Sequence, residues 1–455
     1  MIVAFIYHED IRVINSLVIT IGMLVIIGLL GVAFKPKNYH VYTKEGLLIV
    51  ALCWILWSFF GALPFVLSGQ IPSIIDAFFE MVSGFTTTGA TIVPDVAVLS
   101  HSLLFWRSFA HLIGGMGVLV FALAIMENSK NSHLEVMRAE VPGPVFGKVV
   151  SKLKETAQIL YVIYLSMFAI LVVILMVAGM PAFDSVITAM GCAGTGGFGV
   201  YNDSIAHYNS SLITNIVSIA VLLFGINFNL YYFLLLRKFK AFFKDEELRT
   251  YIGIVMIATA LIWLNVSGLY PSTGKALENS LFEVANVMTT TGFGVTDLTV
   301  WPLFAQVILL FLMFVGGSAG STAGGIKVMR TLILTKIARN QVLSTLYPHR
   351  IMTIHINEQP LDKEIQHGVL KYLTLYVFLL LGLTLMLSLD NNNFMVVVSA
   401  ATSTFNNIGP MLGTSQTFAI FSPFSKLLMS FAMIAGRLEI YPMLLLFIPK
   451  TWSKY

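Results

Sequence analysis

The chain has 455 residues, of which 57% are hydrophobic and only 11% are charged. Roughly a quarter of the residues in a typical soluble domain are charged, so this composition argues against a water-soluble protein and favours one that crosses a membrane repeatedly. The formal net charge is +4, and its meaning depends on where the basic residues lie. Cys53 and Cys192 match no metal-ligand or disulfide spacing, so a redox or zinc role has no support.

Nine apolar stretches are long enough to cross a membrane, since a helix of roughly 20 residues spans the hydrocarbon core. They cover residues 13–34, 46–68, 102–125, 156–179, 211–235, 252–270, 301–324, 369–389 and 424–448. The first is too long for a signal-peptide core and lacks a cleavage pattern, so we expect it to be retained. Four intervening segments are too short and too interrupted to cross, and we predict that they are re-entrant: 72–99, 181–209, 272–299 and 390–420.

The positions of the basic residues orient the chain. Of the 27 lysines and arginines, 22 lie in the stretches 35–44, 130–154, 237–249, 327–371 and 450–454. Loops rich in Lys and Arg stay on the cytoplasmic side, so these stretches are predicted to be cytoplasmic. Lys275 is the only lysine or arginine in the four re-entrant segments, so these segments are expected to open toward the outside.

These elements form a unit of span, short re-entrant helix, loop and span that occurs four times. Each unit contains two complete spans, so all units enter the membrane in the same direction. Parallel units favour a pore, whereas inverted repeats usually bury a solute site at the midplane. We predict an all-α polytopic membrane protein with four parallel repeats around one pore and an extra N-terminal span. The predicted boundaries are 1–40 for the extra span and 41–130, 131–245, 246–350 and 351–455 for the repeats.

Each re-entrant segment is interrupted by a short polar run. The runs are Thr86-Thr87-Thr88-Gly89-Ala90-Thr91, Gly194-Thr195-Gly196-Gly197-Phe198-Gly199, Thr289-Thr290-Thr291-Gly292-Phe293-Gly294 and Asn406-Asn407-Ile408-Gly409-Pro410. One such run alone would usually be a helix end or a turn. Four runs at matched positions favour a shared function instead.

A dehydrated monovalent cation needs a ring of oxygen ligands, which backbone carbonyls supply when the chain is extended. Glycine permits the required backbone conformations, and irregular backbone is tolerated at membrane depth where it lines a water-filled cavity. The runs therefore predict an ion filter. The predicted ligand residues are Thr87, Thr88, Gly89, Gly194, Thr195, Gly196, Thr290, Thr291, Gly292, Asn407, Ile408 and Gly409.

Two glutamates and two glycine-rich runs have other possible roles. Glu80 and Glu283 could attract cations at an outer mouth, but a carboxylate in a short helix more often accepts nearby hydrogen bonds, so we favour a structural role. Residues 194–199 match the dinucleotide pattern G-x-G-x-x-G without the strand and βαβ unit that it requires. The run 316–327 resembles a phosphate loop but has Val328 where a hydroxyl residue is needed. Nucleotide binding by this chain is therefore rejected.

A run of small residues interrupts the second span of the third unit. The run is Gly316, Gly317, Ser318, Ala319, Gly320, Ser321, Thr322, Ala323, Gly324 and Gly325. A break at about mid-membrane must face a cavity, and the alternative is close helix packing through small residues. We favour a mobile gate below the filter.

Arg437 lies inside the last predicted span. A charged residue at the centre of a membrane helix costs about 2.5 to 3.5 kcal/mol on insertion scales, so this side chain should face water or a partner. One interpretation is structural pairing with Glu439 or with exposed carbonyls. We prefer a positive barrier just under the filter, which limits cation flow until the gate moves.

These residues resemble the Trk, Ktr and HKT superfamily of potassium transporters, especially bacterial Trk membrane subunits. The resemblance extends over nearly the whole chain from about residue 40, and its most specific runs are 83–91, 317–327, 406–410 and 436–440. Trk-type subunits commonly begin with two extra spans, whereas this chain is expected to have one span preceded by an apolar stub at residues 1–7.

The resemblance implies a filter glycine in each repeat, an intramembrane gating loop at 316–325 and Arg437 near that loop. It also implies a homodimer with one pore per subunit and a separately encoded cytoplasmic ring of nucleotide-binding regulatory subunits. Some superfamily members that favour sodium have serine at the position of Gly89, so the resemblance and the glycine in all four repeats point to potassium as the transported ion.

The predicted function is gated potassium uptake across the cytoplasmic membrane, without covalent catalysis. The expected partners are membrane lipid and the regulatory ring, and no nucleic-acid partner is expected. Two alternatives remain open: an ion-coupled symporter of a small solute, and a sodium-permeable member of the same superfamily. An intramembrane enzyme is disfavoured because neither an H-E-x-x-H zinc motif nor a nucleophile elbow occurs in a suitable context.

Overall fold

The computed structural model describes residues 1–34, 43–117, 153–347 and 352–452, and most of these residues are helical. The N-terminal part contains α1 (Ile2–Ile6) and the long apolar helix α2 (Ile11–Ala33). After α2, the same order of elements occurs four times: a long helix, a short helix, an irregular turn and a second helix. We number these units 1 to 4.

The bounds of the helices follow from this order. Unit 1 contains α3 (Thr43–Ser68), α4 (Ile74–Phe85) and α5 (His101–Gly115). Unit 2 contains α6 (Leu153–Val177), α7 (Ala182–Gly194), α8 (Ser211–Phe224) and α9 (Phe228–Leu235), followed by α10 (Phe239–Lys244). Unit 3 contains α11 (Glu246–Val266), α12 (Thr273–Met288), α13 (Leu303–Val315) and α14 (Val328–Leu346). Unit 4 contains α15 (Lys363–Leu387), α16 (Phe394–Asn406), α17 (Pro423–Arg437) and α18 (Tyr441–Leu445).

One small hairpin accompanies the helices. Strands β1 (His355–Ile356) and β2 (Gln359–Pro360) pair antiparallel between α14 and α15. The two turn residues, Asn357 and Glu358, both have positive φ, as a tight two-residue hairpin turn requires. The prediction of an all-helical chain therefore misses this hairpin.

The short helices α4, α7, α12 and α16 are the most buried elements of their units. Three of them begin with a side-chain cap, because Ser73, Ser272 and Asn393 each accept a backbone N–H from the first turn. Such caps satisfy N–H groups that the helix itself leaves free. Their burial and fixed starting points place the turns that follow them inside the molecule.

Each second helix packs against the short helix of the next unit. The packed pairs are α5 with α7, α8 with α12, α13 with α16, and α17 with α4. The last pair joins unit 4 back to unit 1, and an ion pair of 2.6 Å between Lys426 of α17 and Asp76 of α4 supports it. The four units therefore follow one another around a closed cycle.

The second helices of the units are shorter than the predicted spans or bent within them. Among the described residues, five helices are long and apolar enough to cross a membrane, or six if the bent pair α8 and α9 is counted as one. The five are Ile11–Ala33, Lys44–Ser68, Ala157–Val177, Glu246–Leu269 and Lys363–Leu387. Helices α5, α13 and α17 end after 13 to 15 residues, at Gly115, Val315 and Arg437.

The breaks have local causes. Helices α8 and α9 meet at 91° because Gly225 and Ile226 are followed by Asn227, whose side chain caps α9. Helix α13 ends at Gly316, which has a φ of 72° that favours glycine. The residues predicted to complete the second span of unit 1 continue into 118–125, outside the described part of the chain.

Candidate functional site

The turn after each short helix has the same backbone conformation. The first residue is left-handed, with φ between 53° and 57°, and the third is a glycine with φ between 73° and 107°. The four tripeptides, which we call the ring tripeptides, are 87–89, 195–197, 290–292 and 407–409. A non-glycine residue in the left-handed region is uncommon, so its occurrence at the same place in all four turns indicates one shared geometry.

This geometry corrects the predicted register in unit 2. The sequence interpretation grouped Gly194 with Thr195 and Gly196, but Gly194 is the last residue of α7. The left-handed residue is Thr195 and the glycine with positive φ is Gly197, which matches Gly89 in unit 1. In the other three units, the predicted residues are the ring tripeptides themselves.

The ring tripeptides approach one another in a closed cycle. A Cβ atom added to any of the four glycines would meet the backbone carbonyl of the middle residue in the next unit's tripeptide. The pairs are Gly89 with Gly196, Gly197 with Thr291, Gly292 with Ile408, and Gly409 with Thr88. The fourth pair returns to unit 1, so the four contacts form a closed cycle.

Unit 4 has asparagine where the other units have threonine, and its side chain adds a polar link across the closing joint. The Nδ2 atom of Asn407 donates to the hydroxyl of Thr88 and to the carbonyl of Met433, each at 2.9 Å. The unequal sequence of unit 4 is therefore accommodated by a specific contact to unit 1.

The predicted gating run, residues 316–325, lies against the ring tripeptides. The N–H of Gly324 donates to the hydroxyl of Thr290 at 2.6 Å, and the N–H of Gly325 donates to the carbonyl of Asn406 at 3.1 Å. A Cβ on Gly324 would also collide with that carbonyl. This irregular segment, the intramembrane loop, is thus attached directly to units 3 and 4 of the ring.

The break in unit 2 receives the other side of the intramembrane loop. The N–H of Ser318 donates to the carbonyl of Gly225 at 3.0 Å, and the N–H of Phe228 donates to the carbonyl of Gly320 at 3.1 Å. These bonds satisfy backbone groups that the 91° bend between α8 and α9 leaves without helical partners. The two irregular segments therefore stabilise each other.

Glu247, in the first turn of α11, connects the loop to the start of α14. Its Oε1 atom accepts the N–H of Ala319 at 2.6 Å and the N–H of Met329 at 3.1 Å, and the residue is 2% exposed. The sequence alone does not identify Glu247 as a contact of the loop. The residue lies in an acidic first turn, where a negative side chain ordinarily complements the helix N-terminus.

Arg437 bridges the loop to unit 1. Its guanidinium donates to the carbonyl of Thr322 at 2.8 Å and to the carbonyls of Gly114 and Gly115 at 2.5 and 2.7 Å. The side chain is 8% exposed and lies at the C-terminal end of α17, not within a continuous span as predicted.

The charged neighbours of Arg437 form their own contacts. Glu439 forms an ion pair of 2.5 Å with Arg330, and Lys327 donates to the carbonyl of Ala323 within the loop. A cavity of about 10 Å³ remains between the loop, Asn407 and Arg437. That volume is about the minimum for one water molecule.

Three carboxylates lie in connecting loops: Asp95 and Asp297 precede the second helices of units 1 and 3, and Asp390 follows the first helix of unit 4. Hydrogen bonds from Asn202 and Ala97 lower the pKa of Asp95, those from Thr299 lower the pKa of Asp297, and those from Ser422 and Ser425 lower the pKa of Asp390. All three groups are therefore negatively charged at neutral pH.

The comparisons with known proteins agree on one family. The profile of the TrkH family, described as a cation transport protein, matches residues 14–454. The Trk system potassium uptake protein TrkH of Salmonella typhimurium is 35% identical over 429 residues, which cover 92% of this chain and 88% of that protein. The Escherichia coli potassium uptake protein TrkG is 31% identical over 426 residues, which cover 92% and 87%.

A solved structure supports the same assignment. The crystal structure of the potassium transporter TrkH from Vibrio parahaemolyticus matches with a TM-score of 0.88 and 31% identity, covering 99% of this chain and 95% of that one. The similarity therefore extends over the described fold as well as the sequence. The chain belongs to the TrkH family of cation transport proteins and is an integral membrane protein.

Proposed function

We propose that this protein takes up potassium ions through a single pore whose selectivity filter is made by the four ring tripeptides. The observation that carries the proposal is the closed cycle in which each ring glycine abuts a carbonyl of the next unit. Carbonyl oxygens in a ring can replace the hydration shell of a monovalent cation. The proposed ligands are the carbonyl groups of the ring tripeptides, including those of Thr88, Gly196, Thr291 and Ile408.

Potassium is the ion that the relatives support. The matched proteins of Salmonella typhimurium and Escherichia coli are named potassium uptake proteins. Each ring tripeptide here ends in glycine, including Gly89, where the resemblance associates serine with sodium permeation. A side chain at that position would have to fit beside the carbonyl of Gly196, so it would change the geometry of the ring.

We propose further that the intramembrane loop is the gate and that Arg437 holds it closed. The loop is attached to the ring through Thr290 and to unit 1 through Arg437, and the remaining cavity is too small for a hydrated ion. The positive charge of Arg437 also opposes a cation at the same place. Opening then requires the loop to exchange these hydrogen bonds for others or for water.

The superfamily resemblance extends the proposal to assembly and regulation. A homodimer with one pore per subunit, and a separate cytoplasmic ring of nucleotide-binding subunits that moves the gate, are the expected partners. The basic stretches 237–249 and 327–371 are the cytoplasmic candidates for contact with that ring.

Rubidium flux into vesicles that contain the purified protein tests the filter directly. We expect wild-type protein to carry rubidium in preference to sodium, and Gly89→Ser to lose much of that preference. Gly294→Ser is the matched control, because nothing lies within 4 Å of a Cβ at that glycine. Unchanged selectivity in a folded Gly89→Ser variant would overturn the filter assignment. Equal rubidium and sodium flux in the wild type would favour the sodium-permeable alternative, and flux that requires a small solute would favour the symporter.

A further inference from the structure

A buried ion pair lies directly behind the ring tripeptide of unit 1. The Nε atom of Arg107, in α5, is 3.0 Å from Oε1 of Glu80, in α4, and the two side chains are 2% and 0% exposed. A charge buried without a partner is strongly disfavoured, so each residue depends on the other. Neither is required by the packing of an apolar helix.

The same carboxylate fixes the chain where it leaves the ring. Glu80 accepts the hydroxyl of Thr91 at 2.9 Å and the N–H of Ile92 at 3.0 Å. These residues follow Gly89 by two and three positions, so the ion pair is connected to the ring tripeptide through very little intervening chain. A displacement of the carboxylate would reach the ring of unit 1 directly.

Arg107 extends this contact to unit 2. Its guanidinium carbon lies 3.8 Å from the ring centroid of Phe198, which immediately follows Gly197. His111 lies one turn further along α5, and its ring centroid is 4.3 Å from that of Phe198. Residues four positions apart share one face of a helix, so one face of α5 supports the unit 2 tripeptide from behind.

Unit 3 has the corresponding carboxylate without the cation. Glu283 accepts the N–H of Val295 at 3.2 Å, as Glu80 accepts that of Ile92. Helix α13, the counterpart of α5, contains no lysine or arginine, and within the described ranges no basic side chain forms an ion pair with Glu283. The charged arrangement therefore belongs to the joint between units 1 and 2.

We propose that Glu80, Arg107 and Phe198, which we call the filter brace, are positioning residues that set ion selectivity by holding the ring tripeptides of units 1 and 2 in place. Carbonyls that replace a hydration shell can favour the larger ion when their positions are held. A planar guanidinium that pairs with a carboxylate and stacks on an aromatic ring resists displacement in two directions. The inference rests on the proposed filter, and it adds residues that do not themselves contact the ion.

The test measures the ratio of rubidium to sodium flux in vesicles for four variants. Arg107→Met and Glu80→Gln should each lower the ratio about tenfold, equivalent to ~1.4 kcal/mol. Arg107→Lys should lower it by less, because it keeps the charge and loses the planar stack. Glu283→Gln is the matched control and should leave the ratio close to wild type.

A double variant separates selectivity from folding. Combining Glu80→Gln with Arg107→Met removes both buried charges, so thermal stability should recover relative to the single variants while selectivity stays low. Recovery of both would show that the brace only supports folding, and an unchanged ratio in folded Arg107→Met would overturn the proposal. A shift in Glu283→Gln as large as that in Glu80→Gln would also contradict it. If Gly89→Ser changes selectivity while the brace variants do not, the brace fails and the filter stands; if neither does, the filter itself is wrong.

Discussion

Replacing Arg437 by alanine removes the bridge between the intramembrane loop and unit 1. The guanidinium makes one hydrogen bond to the loop, at the carbonyl of Thr322, and two to the end of α5, at Gly114 and Gly115. Alanine leaves the loop carbonyl without this donor and opens space beside it. We therefore expect the closed arrangement to lose stability relative to any open one.

The size of the effect follows from the loop-side bond. A hydrogen bond to a charged group contributes about 1.5 to 3 kcal/mol net, and each 1.4 kcal/mol is about tenfold in an equilibrium constant. Loss of this single bond should raise basal rubidium flux by roughly tenfold to a hundredfold, provided that the wild-type gate is mostly closed. The basal rubidium flux of Arg437→Lys should lie between those of the wild type and Arg437→Ala, because an ammonium lacks the planar fork that reaches separate carbonyls.

The assay is initial rubidium uptake into vesicles without regulatory subunits, at equal protein density. Lys426→Met is the matched control, because this lysine is a buried cation of the same helix, α17, and pairs with Asp76 far from the loop. It should leave basal flux near the wild-type level. Folding is checked by size-exclusion elution and thermal unfolding. An Arg437→Ala protein that folds normally and conducts no more than wild type would refute the role of this residue in closing the gate.

Three further predictions concern single contacts. Gly197→Ala should abolish flux, because the φ of 73° at Gly197 and the neighbouring carbonyl exclude a Cβ. Gly199→Ala should be tolerated, since the nearest atom to a Cβ there is 3.8 Å away. Equal effects of the two variants on flux would refute the corrected register. Glu247→Ala should raise basal flux, because the N–H of Ala319 in the loop and that of Met329 in α14 lose their acceptor at about 1–3 kcal/mol each. Glu247→Gln keeps an acceptor and should leave basal flux unchanged, and identical behaviour of the two variants would contradict the role of Glu247 in holding the loop. Thr290→Val should also raise basal flux by releasing the N–H of Gly324, and a wild-type rate would show that this bond does not restrain the gate.

The repeat is predictable from sequence because each unit obeys the same local rules. A long apolar helix, a shorter helix and a glycine two residues after a left-handed residue recur in all four units. Three of the short helices also begin with a side-chain cap, and these signals depend on nearby residues. The ring tripeptides of units 1, 3 and 4 coincide with the predicted residues for this reason. The register of unit 2 was harder, because Gly194, Gly196 and Gly197 all permit a turn and only the meeting with Thr291 of the next unit selects one.

The broken second helices and the charged contacts behind the ring depend on distant partners. Sequence alone places Asn227 within an apolar stretch and does not indicate a bend there. The bend depends on a distant contact, in which the carbonyl of the loop residue Gly320 accepts the N–H of Phe228. Arg107 and His111, four residues apart within a predicted span, were the available signal for the filter brace, since ionisable residues in membrane helices usually mark functional or paired positions. Their partners lie in two different units, and no local pattern identifies them.

An anomalous difference map from crystals of the full chain grown in rubidium would test the central claim most directly. We expect a peak on the axis of the closed cycle, within coordination distance of the carbonyl oxygens of Thr88, Gly196, Thr291 and Ile408. A peak coordinated by carbonyl oxygens from all four units would agree with a filter to which every unit contributes ligands. Density absent from the ring, with a peak instead at a site between the intramembrane loop and the surrounding helices, would contradict it.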